Sequence, residues 1–297
     1  MSRPVTAQTR LAGVVGSPVR HSLSPVIHNA WIEAAGLDAV YLAFEPPKDS
    51  FRRFVEGLRG GVALGLNVTI PFKEEALALA DEASETARRA GAANLLVLRP
   101  DGTIEADNTD GYGLILALSG AGFRSQGEGW RIVGHDGGRF EGHAVILGAG
   151  GAARAAATSL LDAGVTRVAV VNRTQARAQD IARIDPRIEA HPWDDVETLL
   201  EGAGAIINAT SLGMTGQPPL ELSLERAPKT AIVMDMVYRP LRTPLLTAAA
   251  ARGHPVADGL EMLIGQAFPS FWAIFKVGPP PIDGVRARCE AALAERP

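Results

Sequence analysis

VILGAGGAARA, residues 145–155, joins a β-branched apolar run to an alanine-rich helical one through Gly148, Gly150 and Gly151. Glycines at such a junction let the backbone turn tightly, so that a phosphate can meet the bare amides of a helix N-terminus. Ala153 stands where a G-x-G-x-x-G pattern has its third glycine, and it is small enough for the helix to lie against a sheet. Strand, loop and helix in this order make Gly148, Ala149, Gly150, Gly151 and Ala152 the expected cradle for a dinucleotide pyrophosphate.

The next apolar run decides which dinucleotide. A site for NAD usually ends that strand with an acid that takes the ribose hydroxyls. VVNRT (170–174) instead supplies an amide, a guanidinium and a hydroxyl from Asn172, Arg173 and Thr174. Arginine suits a 2′-phosphate by its charge and by its fork of donors, and Arg177 follows one helical turn later. NADP is the expected cofactor.

Outward from this loop, strand-like and helix-like segments alternate. Strand patterns at 11–16, 40–44, 63–69 and 93–98 are interleaved with helical spacing at 24–35, 50–58, 73–80 and 81–90, and a turn falls at 100–102. A second series begins near Asp110, with helix 111–118, strand 144–147, helix 152–163, strand 168–172, helix 175–183 and strands 205–209 and 232–236. Helices 243–252, 260–275 and 284–294 end the chain, and with no further strand to pair they are expected to return to the first domain. The alternation argues an α/β protein on parallel sheet. The expected domains are an α/β substrate domain over 1–110, a Rossmann-type doubly wound NADP domain over 111–258, and C-terminal helices over 259–297 that complete the discontinuous substrate domain. Residues 124–142 hold five glycines before their last residue, long for a connection. They read equally as a surface insertion or as a hairpin turning at Asp136-Gly137.

The bulk numbers exclude several classes. At 297 residues the chain has room for two domains without staples. With 29 basic and 33 acidic residues and a net charge of -4, nothing draws it to nucleic acid or an anionic membrane. No apolar run reaches membrane-spanning or signal-peptide length. Cys289 is the single cysteine, so a cytoplasmic protein without intrachain disulfides is expected. The six histidines show no metal-binding spacing on a helix, and no metal is expected. The expected partner is a small-molecule substrate, with a homodimer left open.

Three loops bear polar groups suited to such a substrate. GSPVRHSLSP (16–25) places Ser22 and Ser24 at a helix start, NVTIPFK (67–73) gathers Asn67, Thr69 and Lys73 at a strand end, and DNTDG (107–111) ends another extended run with Asp110. Strands of a parallel sheet present their carboxyl ends on one edge, where these loops can converge. Hydroxyls, amides, one ammonium and one carboxylate suit a small polyhydroxylated molecule. For hydride chemistry Lys73 would give a proton to a carbonyl oxygen during reduction and take one during oxidation, with Asp110 orienting it.

With these motifs in order, together with GAGGAARA (148–155), NRT (172–174), NATSLGM (208–214), VYRPLRTPLL (237–246) and DGLEMLIGQ (258–266), the chain resembles the shikimate dehydrogenase family over nearly its whole length. The resemblance implies reversible NADPH-dependent reduction of 3-dehydroshikimate to shikimate, on the way to chorismate and the aromatic amino acids. It implies that Ser22 and Ser24 hold the substrate carboxylate, that Asn67, Thr69, Asn94, Asp110 and Gln266 bind ring hydroxyls, and that Tyr238 helps close the pocket. Lys73 with Asp110 would be the catalytic pair. Asn172, Arg173 and Thr174 would take the adenosine phosphate, and Met214 and Gly259 would lie near the nicotinamide.

Two departures stand out: Asn94-Leu95 replaces the family's Asn-Thr, losing a hydroxyl beside the substrate amide, and the 124–142 segment exceeds the usual connector. Rival readings are a quinate/shikimate dehydrogenase of broader substrate or NAD use and a catalytically silent shikimate-binding regulatory paralogue. A glutamyl-tRNA reductase would need a thiolate nucleophile, and Cys289 in the terminal helix is misplaced for it.

Overall fold

The computed structural model describes residues 4–122, 142–281 and 284–295. The 124–142 segment, read equally as a surface insertion or a hairpin, lies outside the described residues apart from Gly142. The chain divides into two compact units, 1–109 with 266–297 and 110–265. Among the described residues no helix is long and apolar enough to cross a membrane.

The first unit runs β1 (Arg10–Val15), α1 (Ser24–Ala34), β2 (Ala39–Phe44), α2 (Phe51–Glu56), β3 (Gly65–Val68), α3 (Lys73–Leu79), β4 (Glu82–Ala83), α4 (Glu85–Ala90), β5 (Leu95–Leu98) and β6 (Ile104–Asp107). Its sheet has the order β2-β1-β3-β5-β6-β4. The pairings of β1 with β2 and β3, and of β4 with β6, are parallel, while β5 runs antiparallel to both β3 and β6, a reversal the alternation did not reveal. The reversal still serves one edge, because the amino end of β5, where Asn94 sits, lies beside the carboxyl ends of β3 and β6. The 81–90 segment is not one helix. Glu82 and Ala83 pair with β6, and Ser84 then caps α4, its hydroxyl accepting from the Ala87 N–H at 3.0 Å.

Alternate residues of these strands face different helices. Leu66, Val68, Leu96, Leu98, Ile104 and Ala106 form a buried core with Phe51 and Val55 of α2 and Ala76 and Leu79 of α3. On the other face lies the carboxyl half of α10 (Gly259–Phe275). It approaches so closely that a Cβ on Gly65 would stand 2.9 Å from Ile274, which makes glycine the fitting residue there. The terminal helix α11 (Val285–Ala294) packs on α1 and buries Cys289.

The second unit opens with α5 (Asp110–Gly120) and continues β7 (His143–Leu147), α6 (Gly151–Asp162), β8 (Val168–Val171), α7 (Gln175–Ala182), β9 (Ile188–His191), α8 (Val196–Leu199), β10 (Ala203–Asn208), β11 (Ile232–Asp235), α9 (Pro244–Ala251), β12 (Val256–Asp258) and the first half of α10. Its sheet is parallel throughout, in the order β12-β11-β10-β7-β8-β9. The chain winds outward from β7 to β9 and returns to the other side of β7, the doubly wound pattern with its switch point between β7 and β10. Residues 144, 146, 168, 170, 205 and 207 face α5, α6 and α7 in one core. Their neighbours 145, 147, 169, 171 and 206 face α8 and α9 in the other. Sheet covered on both faces explains why β7 and β8 are buried at every position. Strands β9 and β12 escape the periodicity reading, being short edge strands. Strand β12 also corrects the expectation that no strand follows 232–236, since it pairs with β11.

Candidate active site

In the first unit the carboxyl edge of the sheet carries the groups singled out from sequence. Leu23 is the N-cap of α1, so Ser24 is the first helical residue rather than the cap, followed by Pro25. The Ser22 hydroxyl accepts from the Ser24 N–H at 3.2 Å. Among the described residues no hydrogen bond engages the Ser24 hydroxyl, which leaves it available beside a helix N-terminus. Beyond β3 the chain turns at Thr69–Phe72, where the Phe72 N–H donates to the Thr69 carbonyl at 3.0 Å and the Ile70-Pro71 peptide is cis. Lys73, half-buried, opens α3 directly after this turn.

Behind this edge lies a buried amide network. Asn67 Oδ1 accepts from the Tyr41 hydroxyl at 2.8 Å, and its Nδ2 donates to the Ser270 hydroxyl at 2.9 Å and to the Asn94 carbonyl at 3.2 Å. Asn94 Nδ2 donates to Gln266 Oε1 at 2.8 Å and Thr109 Oγ1 at 3.0 Å, while its Oδ1 accepts from the Thr109 N–H at 2.8 Å. Asn67, Asn94 and Gln266 are thus brought together, and Thr109 is pinned one residue before Asp110. Connected buried hydrogen bonds hold side-chain positions far better than isolated ones do. The Gln266 NH₂ keeps its donors free among the described residues. Sequence reading missed Tyr41 and Ser270, whose only signal is a polar residue in an otherwise apolar run, and Thr109, which lies inside the DNTDG stretch without being singled out there. Leu95 is 1 % exposed, in register with Asn67 and Asp107, so this departure from the family's Asn-Thr adds core packing.

His28, within the HSLSP segment's helix, stacks on Tyr41 with ring centroids 4.1 Å apart and planes 3° apart. Burial lowers its pKa to about 3, and its Nδ1 has no hydrogen-bond partner among the described residues. The ring is therefore neutral in the folded protein. Below an ordinary histidine pKa of 6.5 the unfolded chain binds a proton that the folded one does not. Stability from this site is thus complete above that pH and falls as pH drops towards 3, by about 1.4 kcal/mol per pH unit. Comparing His28→Phe with the parent between about pH 6.5 and 4.5, urea unfolding should show the variant losing about 2–3 kcal/mol less. Equal losses would show that His28 does not titrate in this way.

In the second unit Asp110 is buried at the start of α5, and a Cβ on Gly111 would strike Ser159 of α6, so the two helices pack closely there. Gly148 follows β7 with φ +106°, and a Cβ on it would meet Thr210 and Ala209 at 3.0–3.1 Å, which shows the two sides of the switch point in contact. Gly150 is the N-cap of α6 with nothing within 4 Å of an added Cβ, and no acid sits in the helix's first turn. Open space over bare amides fits a pyrophosphate. Ala153 is fully buried in the core, the close packing expected of that position.

Asn172 and Arg173 line an open pocket of about 730 Å³ together with Trp193, Thr210, Leu212 and Leu220. Asn172 Nδ2 donates to the Thr174 carbonyl at 2.9 Å, fixing the turn after β8. Thr174 caps α7 without a side-chain bond, and neither it nor the exposed Arg177 belongs to the lining. Asp194 and Glu221 are also among the residues lining this pocket. Trp193 and the 218–221 wall were not foreseen: neither lies within a motif, Trp193 following an edge strand and 218–221 lying beyond the end of NATSLGM. Met214 is half-buried on the loop after β10, and Tyr238 half-buried on the loop after β11. Gly259 opens α10, where a Cβ would lie 2.3 Å from the Met236 carbonyl oxygen, so the position requires glycine.

The chain shares much of its length with known proteins. Residues 14–96 match the shikimate dehydrogenase substrate binding domain, and residues 137–216 match shikimate / quinate 5-dehydrogenase. The chain is 52 % identical over 296 residues to the NADP(+) shikimate dehydrogenase of Caulobacter vibrioides, covering 99 % of this chain and 100 % of that one. It is also similar to shikimate 5-dehydrogenase of Thermus thermophilus, solved in complex with NADP(H) and shikimate, at 33 % identity and a TM-score of 0.81 over 95 % of this chain and 99 % of that one. Quinate dehydrogenase of Corynebacterium glutamicum, solved with NAD, shares 27 % identity and a TM-score of 0.81 over 96 % and 99 % of the two chains. The chain belongs to the shikimate dehydrogenase family.

Proposed function

We propose that this protein catalyses the reversible NADPH-dependent reduction of 3-dehydroshikimate to shikimate in the cytoplasm. The observation that carries the reading is the set of groups at the carboxyl edge of the first sheet: the Ser24 and Thr69 hydroxyls and the Gln266 amide, held near the turn that presents Lys73. In this reading Ser22 and Ser24 take the substrate carboxylate, favoured by the N-terminal amides of α1. Thr69, Asn94 and Gln266 take ring hydroxyls. Asn67, whose amide hydrogens go to Ser270 and Asn94, serves as an acceptor through its remaining Oδ1 lone pair. Tyr238 closes the substrate pocket. Gly148 to Ala152 receive the pyrophosphate, Asn172, Arg173, Thr174 and Arg177 the adenosine phosphate, and Met214 and Gly259 flank the nicotinamide.

The bound cofactor supplies the hydride. Lys73 Nζ gives a proton to the ketone oxygen as it becomes a hydroxyl and takes it back in the reverse direction, and Asp110 orients that ammonium against the same oxygen. Burial pushes the Cys289 thiol up to about 11, which leaves it protonated and unfit as a nucleophile. This argues against thioester chemistry.

The relative that uses quinate with NAD makes that pair the second reading. Arg173 in the nucleotide pocket, on a turn without an acid, favours NADP. Steady-state kinetics on shikimate and quinate, each with NADP and NAD, decide between them. Shikimate with NADP is expected to give the highest kcat/KM, and a higher value for quinate with NAD would replace the assignment.

A further inference from the structure

The Asp235 carboxylate, at the end of β11, is fully buried and has no role in the chemistry above. Its Oδ1 accepts from Asn208 Nδ2 at 2.9 Å and from the Val237 N–H at 3.0 Å, and its Oδ2 accepts from the Thr243 hydroxyl at 2.7 Å. Asn208 ends β10 and organises the loop that follows it. Its Nδ2 also donates to the Leu212 carbonyl at 3.1 Å, and its Oδ1 accepts from the Thr210 N–H at 3.0 Å and the Thr210 hydroxyl at 2.7 Å. The Leu212 N–H closes this turn on Thr210 Oγ1 at 3.1 Å. Thr243 in turn caps α9, and the Thr215 N–H donates to the Arg239 carbonyl at 2.8 Å, joining the loops after β10 and β11 a second time.

A buried charge costs folding free energy that an apolar side chain of similar size would not. Here one group holds three donors from two segments, and the segment it reaches through Asn208 forms the wall of the nucleotide pocket at Thr210, Ser211 and Leu212. We propose that Asp235 is a positioning residue for the cofactor: through Asn208 and Thr243 it fixes the 208–214 and 237–243 loops in the form that receives the dinucleotide. The proposal rests on the reading of this pocket as the NADP site.

Isothermal titration of NADP into the full chain tests it, with the melting temperature measured alongside. Asp235→Asn keeps the volume but leaves the Thr243 proton without its acceptor. It should weaken NADP about 10-fold or more, raising the NADP KM by more than it lowers kcat. Thr243→Val removes one donor and leaves the Asn208 and Val237 bonds in place, and should weaken NADP about 3-fold. A merely structural carboxylate predicts a lower melting temperature with both dissociation constants within twofold of the parent, and that result would overturn the proposal. Should Asp235→Asn not fold, Thr243→Val decides alone by the same criterion. A parent chain that does not bind NADP would instead remove the cofactor reading, and this proposal with it.

Discussion

Replacing Lys73 by alanine is expected to lower kcat for shikimate oxidation by about 10²–10⁴-fold, the usual worth of a positioned proton-transfer group, with KM for shikimate changed only a few-fold. The asymmetry follows from where the binding groups lie. Ser22 and Ser24 belong to the start of α1, and the Asn67, Asn94 and Gln266 amides are tied to one another, to Tyr41, to Thr109 and to Ser270 in a buried network with many anchors besides Lys73. Truncation at Lys73 therefore removes the proton path and leaves the groups that recognise the ring in place. Lys73→Arg is expected to fare little better, because guanidinium holds its protons too firmly to exchange them with a substrate hydroxyl. Turnover of the alanine variant, followed through NADPH absorbance, within about tenfold of the parent would remove Lys73 from the chemistry.

Arg173→Ala should weaken NADP about 10–100-fold while changing NAD less than about 3-fold, since charge-assisted hydrogen bonds contribute about 1.5–3 kcal/mol. The loss should sit toward the upper end. Asp194 and Glu221 line the same pocket, so without Arg173 a 2′-phosphate there would have acidic neighbours and lose the guanidinium that offsets them. Arg173 is exposed, and the difference between the nucleotides should therefore shrink as salt is raised. Equal losses for NADP and NAD would show that Arg173 does not read the phosphate.

Much of the architecture was legible in the residues because the second unit is a sheet covered on both faces. Burial on both sides turns β7, β8 and β10 into apolar runs, and the glycine loop marks the switch point by chemistry that no other residues supply at a positive φ. Strands β9 and β12 were illegible for the converse reason: at an edge, a short strand buries too little to imprint a pattern. In the first unit the reversal of β5 left no trace in periodicity, since alternation is the same whichever way a strand runs.

The candidate site divides along the same line. Its motif residues could be named because proton transfer, phosphate binding and hydroxyl recognition each demand particular side chains next to particular turns. Which of those side chains still have hydrogen-bonding capacity to offer is a matter of distant partners. Asn67 spends its amide on Ser270, 203 positions away, and Asn94 meets Gln266 across 172. Local order along the chain therefore settled strand, turn, helix and the kinds of groups brought to the sheet edge. Long-range packing settled the direction of β5, the pairing of edge strands and the buried anchorage by Tyr41 and Asp235, because a hydrogen bond between remote segments exists only once the core has brought them together.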